Sequence, residues 1–110
     1  MPDSRNLVAA LDGRPVGMAS GVPTADPLVP ELISMWVHPD ARGTGVANRL
    51  VDEVARWARE VGADRLRLSV MPDNARAKAL YRRTGFRMTD EPGDPLPDGV
   101  RREEVMLRPL

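Results

Sequence analysis

The sequence predicts an α/β fold in which one mixed sheet carries two main helices. Its 110 residues fit one small domain, so we expect residues 1–110 to form a single unit. The apolar content of 42% is typical of a globular chain with one modest core. The predicted elements follow the order strand, strand, strand, helix, strand, helix, strand, strand. Because helices fall between strands only in the middle, the strands around them are expected to run parallel.

Three strands are predicted before the first helix. Leu7–Leu11 is the first, ended by the turn signal Asp12–Pro15, and Val16–Val22 follows as its hairpin partner. Pro23–Pro30 contains three prolines, which a central strand would not tolerate, so it is predicted to be a loop. Glu31–Val37 is apolar and compatible with β structure, and it is predicted to be a central strand.

Two helices and one strand are predicted in the middle of the chain. Apolar residues recur at intervals of three and four in Gly45–Val61, which predicts an amphipathic helix with Gly62 as its C-terminal cap. Apolar and polar residues alternate in Leu66–Val70, which predicts a strand with one buried face. A shorter helix is predicted from Asn74 to Thr84, and Gly85 stops it.

The last strands are predicted at Phe86–Asp90 and Glu104–Arg108. Between them, Glu91–Gly99 holds three prolines and two glycines. This composition predicts a long exposed loop.

Composition excludes several classes of function. The formal net charge is zero and acidic and basic residues are interleaved, so nothing indicates nucleic-acid binding. The chain has no cysteine and one histidine, His38, which argues against disulfides, thiolate or multi-histidine metal sites and a cysteine nucleophile. No apolar run approaches the ~20 residues that span a bilayer, and nothing resembles a signal peptide. We therefore expect a cytoplasmic protein with no metal and no membrane partner.

A glycine-rich turn joins the central strand to the long helix. It consists of Arg42, Gly43, Thr44, Gly45, Val46 and Ala47, and we call it the glycine turn. The first turn of a helix exposes unpaired backbone N–H groups and the positive end of the helix dipole. Glycines let the backbone approach an anion closely, and Arg42 adds a cationic donor. The glycine turn therefore predicts a pyrophosphate site.

Three phosphate-binding patterns compete here with a turn that merely joins two elements. A P-loop requires Gly-Lys-Ser/Thr, which is absent. A dinucleotide fingerprint requires a third glycine where Asn48 stands and an acid at the end of the next strand, which here ends in Met71 and Pro72. The third pattern is Arg/Gln-x-x-Gly-x-Gly/Ala after a strand that ends Val-x-Pro. Its positions are all present, as Val37, Pro39, Arg42, Gly45 and Ala47.

The second predicted helix carries another motif. Asn74 and Tyr81 are seven residues apart, so they lie within about 20° of each other on one helical face. Asn, Ala, Leu-Tyr and Gly-Phe at this spacing, ending at Phe86, resemble the second motif of the GNAT superfamily of N-acetyltransferases. The third phosphate-binding pattern above is that family's first motif. Both occur in the family order, and the resemblance runs from about Leu7 to Arg108.

The resemblance implies a fold and a cosubstrate. GNAT proteins have a mixed, mostly antiparallel sheet whose parallel central strands, here Glu31–Val37 and Leu66–Val70, splay apart at their C-terminal ends. Acetyl-CoA would lie in the gap, with its pantetheine arm paired to the backbone of Met35–Val37 like an added strand. The backbone of the glycine turn would hold the pyrophosphate. Asn74 would hydrogen-bond the pantetheine, a role that can coexist with helix N-capping.

The resemblance also implies roles in acetyl transfer to an amine. A backbone N–H near Met35 or Trp36 would bind the carbonyl oxygen as negative charge develops on it. Tyr81 matches the tyrosine that protonates the departing thiolate, with a packed helix residue as the alternative reading. Glu31 stands where some members carry a base that works through water. Even spacing puts Glu31 on the same strand face as Val37 if the strand has no bulge.

One departure from the family pattern bears on assembly. Members begin with a strand and two helices that form much of the acceptor site, whereas only Met1–Asn6 precede the first predicted strand. A truncated chain, a compact variant or completion by another chain would each explain this, and an unpaired edge favours a homodimer.

The resemblance thus predicts an acetyl-CoA-dependent N-acetyltransferase. A small-molecule or peptide amine would attack the acetyl group directly, without a covalent enzyme intermediate, and the identity of the amine stays open. The alternative is a regulatory or vestigial module that binds acyl-CoA without efficient transfer. A nicotinamide-binding domain is a third reading that rests on the glycines alone.

Overall fold

A computed structural model describes residues 4–110, which form one six-stranded sheet with two helices. The strands are β1 Arg5–Leu11, β2 Arg14–Val22, β3 Glu31–Val37, β4 Arg65–Val70, β5 Arg87–Pro95 and β6 Arg102–Pro109. The helices are α1 Val46–Glu60 and α2 Ala75–Arg83, and a short 3₁₀ turn covers Pro39–Ala41. Of the predicted polar lead-in Met1–Asn6, the first three residues lie outside the described part.

The sheet is mixed, as the sequence predicts. Its strand order is β1-β2-β3-β4-β6-β5, and every neighbouring pair is antiparallel except β3 and β4, which are parallel. The predicted hairpin, the central strand and both helices are confirmed, with ends that shift by one or two residues. Mixed pairing follows because α1 returns the chain to the start of β4 beside β3.

Both helices pack on the same face of the sheet. Arg108 of β6 makes an ion pair of 3.1 Å with Asp52 of α1, and Glu104 makes one of 2.5 Å with Lys78 of α2. Arg108 and Glu104 lie four residues apart, so their side chains are on the same face of β6. The buried side chains of β4 lie on this face of the sheet as well. The core lies between this face and the helices. No helix within residues 4–110 is long and apolar enough to cross a membrane.

The C-terminal region differs from its prediction. The prediction of an exposed loop over Glu91–Gly99 is wrong for its first half, because β5 continues to Pro95. β5 is an edge strand paired only with β6, and an edge tolerates proline because only one side of the strand needs donors. The pairing is irregular, with register shifts on both sides of Pro92. Gly93 fits because a Cβ there would lie 2.3 Å from the backbone oxygen of Glu103.

A β-bulge in β3 changes which side chains share a face. Gly21 of β2 lies opposite Leu32. Gly17 likewise lies opposite Val37. A Cβ at either glycine would touch α1 side chains, so both β3 residues face α1. Five positions separate them, which a regular strand would place on opposite faces, and the extra residue lies at Ser34, whose φ is +56°.

The bulge overturns the face expected for Glu31. Glu31 precedes Leu32 and therefore lies on the face away from α1, whereas Val37 faces the helix. The even spacing from Glu31 to Val37 is real in the sequence, but the extra residue at Ser34 reverses the alternation between them.

We expect Gly21→Ala to lower the free energy of unfolding by about 1–3 kcal/mol, the usual cost of overpacking. The new Cβ would lie 2.4 Å from the Trp57 ring, which is rigid and buried. Gly17→Ala is the milder comparison, because the shortest contacts of its Cβ would be 3.0 Å to the end of the Leu50 side chain and 3.1 Å to the Trp36 backbone oxygen. Urea denaturation should give a lower free energy of unfolding for Gly21→Ala than for Gly17→Ala. The reverse order would contradict this packing.

Candidate functional site

The parallel strands β3 and β4 separate almost at once. They pair through Glu31 and Arg67, and the Arg67 amide donates to the Pro30 carbonyl oxygen at 2.9 Å. Within the part of the chain that the structure describes, no later pair joins them. The β4 side of Met35–Val37 therefore borders a gap, while the other side of β3 pairs with β2. Such an open edge offers N–H and C=O groups to an extended ligand.

A groove of about 610 Å³ opens beside this edge. Its lining consists of Met35, Trp36, Val37, Ala41, Arg42, Gly43, Gly45, Ala47, Asn48, Asn74, Arg76, Ala77, Leu80, Tyr81 and Arg83. All the site residues predicted from the sequence line this groove except Glu31, Thr44 and Val46. The two sequence motifs, which a helix and a strand separate along the chain, therefore meet on one surface.

The glycine turn presents bare backbone to the groove. Gly43 and Gly45 have φ of +80° and +86°, a region that only glycine adopts freely, and a Cβ at either would meet no atom within 4 Å. The first α1 hydrogen bond runs from the Arg49 N–H to the Gly45 carbonyl oxygen. The N–H groups of residues 45–48 have no acceptor among residues 4–110, and no side chain caps α1. These free donors lie at the positive end of the helix dipole.

Thr44 and Val46 have structural positions within the glycine turn. The Thr44 hydroxyl donates to the Ala41 carbonyl oxygen, so this side chain closes the turn. Val46 is buried against the core. Neither side chain lines the groove, so any contribution of these two residues to a ligand would come from their backbone.

Asn74 is placed both to cap α2 and to donate a hydrogen bond to a ligand in the groove. Its side-chain Oδ1 accepts a hydrogen bond of 3.1 Å from the Ala77 N–H, so Asn74 is the N-cap of α2. The residue also lines the groove, and its amide Nδ2 group makes no hydrogen bond within residues 4–110. Capping by the oxygen therefore leaves the nitrogen as a donor.

Tyr81 is the most deeply placed polar side chain of the groove. It is 8% exposed, and its ring packs edge-on against Phe86 with the ring centres 5.7 Å apart. Burial raises the pKa of the phenol above its ordinary value of 10, because desolvation disfavours the phenolate. Tyr81 therefore holds its proton across the physiological range and can donate it to a base formed in the groove.

Three arginines line the groove and no carboxylate does. They are Arg42 of the glycine turn and Arg76 and Arg83 of α2. None of the three forms an ion pair with a carboxylate of residues 4–110. The sequence motifs indicated Arg42 but missed the other two, although their spacing of seven residues, two helical turns, is a signal that could have been read.

Glu31 lies in a different place from Tyr81. It lines a smaller pocket, of about 360 Å³, on the face away from the helices. Its carboxylate makes an ion pair of 3.2 Å with Arg67, whose Nε lies 3.5 Å from Glu91. Asp26 also lines this pocket, which therefore carries three carboxylates and the two cations Arg65 and Arg67.

Comparisons with known proteins identify the family to which the chain belongs. The model of the acetyltransferase (GNAT) family matches residues 1–86. An uncharacterized N-acetyltransferase of Mycobacterium tuberculosis is 39% identical over 82 residues, which cover 74% of this chain and 52% of that protein. The chain thus spans about half the length of this curated relative.

Solved structures share the fold. The crystal structure of nourseothricin acetyltransferase has a TM-score of 0.86 and 31% identity, and the match covers 98% of this chain and 66% of that one. An N-acetyltransferase from Thermoplasma acidophilum, solved in complex with coenzyme A, has a TM-score of 0.81 over 98% of this chain and 62% of its own. Its identity of 20% supports a shared fold alone. The family match, together with the groove in which both motifs meet, identifies the chain as a member of the acetyltransferase (GNAT) family.

Proposed function

We propose that the groove binds acetyl-CoA and that the chain transfers the acetyl group to the nitrogen of an amine. The observation that carries this proposal is the convergence of three features on one groove. These are the open backbone edge of Met35–Val37, the free N–H groups of residues 45–48, and the buried phenol of Tyr81. Each suits a different part of a long, anionic thioester.

The lining fits the two non-reacting parts of acetyl-CoA. The N–H groups of residues 45–48 and the guanidinium of Arg42 are donors suited to a pyrophosphate. The two amide groups of a pantetheine arm can pair with the open edge of β3, and the free Nδ2 group of Asn74 adds a donor from the other wall. The absence of any carboxylate in the lining favours an anionic ligand over a cationic one.

The chemistry follows from the groups at the inner end of the groove. The amine nitrogen forms a bond to the acetyl carbon, the carbon–sulfur bond breaks, and the nitrogen loses a proton. A backbone N–H near Met35 or Trp36 would stabilise the carbonyl oxygen as it gains charge. Tyr81 would give its proton to the departing sulfur, since a phenol is protonated at neutral pH.

Glu31 remains the proposed base, acting through water from the opposite face of the sheet. Its pocket carries the carboxylates of Asp26, Glu31 and Glu91, which would attract a cationic amine. The ion pair with Arg67 holds the Glu31 carboxylate in one orientation. The acceptor is proposed only as a primary amine, since an amino sugar, a polyamine or a peptide amine would each suit this charge.

Release of the CoA thiol tests the proposed reaction. The chain has no cysteine, so a thiol-reactive dye reports only the product. We expect release from acetyl-CoA that depends on an added amine, within a panel of amino sugars, polyamines, small amines and peptides, and that falls when Glu31 is replaced by Gln. Tight CoA binding with no release for any amine would support the alternative, a module that binds acyl-CoA without efficient transfer.

A further inference from the structure

Two of the groove's cations have no role in the proposed function. The pyrophosphate is assigned to the free N–H groups of residues 45–48 and to Arg42. Arg76 and Arg83 line the same groove from α2 and remain unassigned. The lining of the groove has no carboxylate to neutralise these two cations. They would therefore attract a second anionic group of the ligand.

The two arginines form a rim on the outer side of α2. They are seven residues apart, so they lie within about 20° of each other and about 10 Å apart along the helix axis. Asn74 and Tyr81 lie on a stripe about 160° around the helix from them, on the inner side. Both arginines are exposed, whereas Tyr81 is buried. The rim is therefore suited to the solvent end of a ligand whose reacting end reaches Tyr81.

Neither rim arginine is neutralised by the protein. Some arginines of the described residues are paired with acids, as Arg67 with Glu31 and Arg108 with Asp52, and others such as Arg82 are not. Arg76 and Arg83 have no such carboxylate within residues 4–110. Each guanidinium group has several N–H donors in one plane. This arrangement can form two hydrogen bonds to the oxygens of one phosphate.

We infer that Arg76 and Arg83 bind the 3′-phosphate of CoA and thereby select CoA over dephospho-CoA. This inference rests on the proposed function. CoA carries two anionic groups, the pyrophosphate and a phosphate monoester on the ribose, and the groove carries two separate sets of donors. The monoester is at the end of the molecule opposite the thioester, which matches the outer rim.

Calorimetric binding of CoA and of dephospho-CoA tests this assignment. The unmodified chain should bind CoA about five- to tenfold more tightly, the preference expected for exposed charge pairs. The double variant R76Q/R83Q should bind both ligands alike, because it loses affinity for CoA and keeps its affinity for dephospho-CoA. Arg82→Gln is the matched control, since Arg82 is also exposed on α2 but does not line the groove, and it should keep the preference.

The outcomes separate the inference from the function on which it rests. Equal affinity of the unmodified chain for the two ligands would refute the inference and leave the proposed function standing. Loss of affinity for both ligands in the double variant, with an unchanged unfolding midpoint, would also refute it. Binding of neither ligand by the unmodified chain would overturn the proposed function itself.

Discussion

Replacement of Tyr81 by Phe is expected to lower the rate of acetyl transfer by about 10²–10⁴-fold, the usual contribution of a positioned proton donor. The change removes only the hydroxyl. The ring keeps its edge-on contact with Phe86, and the affinity for CoA should not change. The thiol-release assay gives the rate, and calorimetry gives the affinity.

The pH dependence distinguishes an acid from a packing residue. Burial raises the Tyr81 pKa above its ordinary value, and activity that depends on this proton is lost as pH rises through the raised pKa. Tyr81→Phe should remove this alkaline loss along with most of the rate. If Tyr81→Phe transfers acetyl at the original rate, Tyr81 is a packed helix residue and does not act as the proton donor.

Replacement of Gly45 by Ala is expected to weaken CoA binding by roughly 10- to 100-fold, the equivalent of one or two charge-assisted hydrogen bonds. The new methyl group would project from the glycine turn into the space left open for a ligand. At φ of +86° the alanine would also cost about 1–2 kcal/mol in backbone strain. The two effects must be measured separately.

Gly62→Ala is a matched control at the other end of α1. Gly62 has φ of +87°, a Cβ there would also meet no atom within 4 Å, and the residue does not line the groove. Both variants should lower the unfolding midpoint by a similar amount, while only Gly45→Ala should lose affinity for CoA. Similar losses of affinity in both variants would mean that strain, and not contact with the ligand, accounts for the effect.

The parts of the fold and site that depend on local pattern could be predicted from the sequence. The glycine turn depends on local backbone conformation, and the Asn74–Tyr81 stripe depends on helical spacing. Both features can be recognised in the amino-acid sequence alone. The groove that joins them follows once β3 and β4 are taken as parallel neighbours.

The errors lie where long-range pairing overrides local pattern. β5 extends into a segment rich in proline because β6 pairs with it on one side. The face of Glu31 reverses because a single extra residue enters β3 at Ser34, which has no glycine or proline to signal it. Arg76 and Arg83 were missed because exposed arginines on a helix usually contact only solvent.

Calorimetric titration with acetyl-CoA, CoA and NAD tests most directly the central claim that the groove is an acyl-CoA site. Acetyl-CoA and CoA should bind with one site per chain, and NAD should not, because Asn48, directly after the glycine turn, stands where a dinucleotide fingerprint requires a third glycine. Gly45→Ala should weaken the binding of both acetyl-CoA and CoA. Binding of NAD instead of CoA, or of none of the three, would contradict the assignment of the groove.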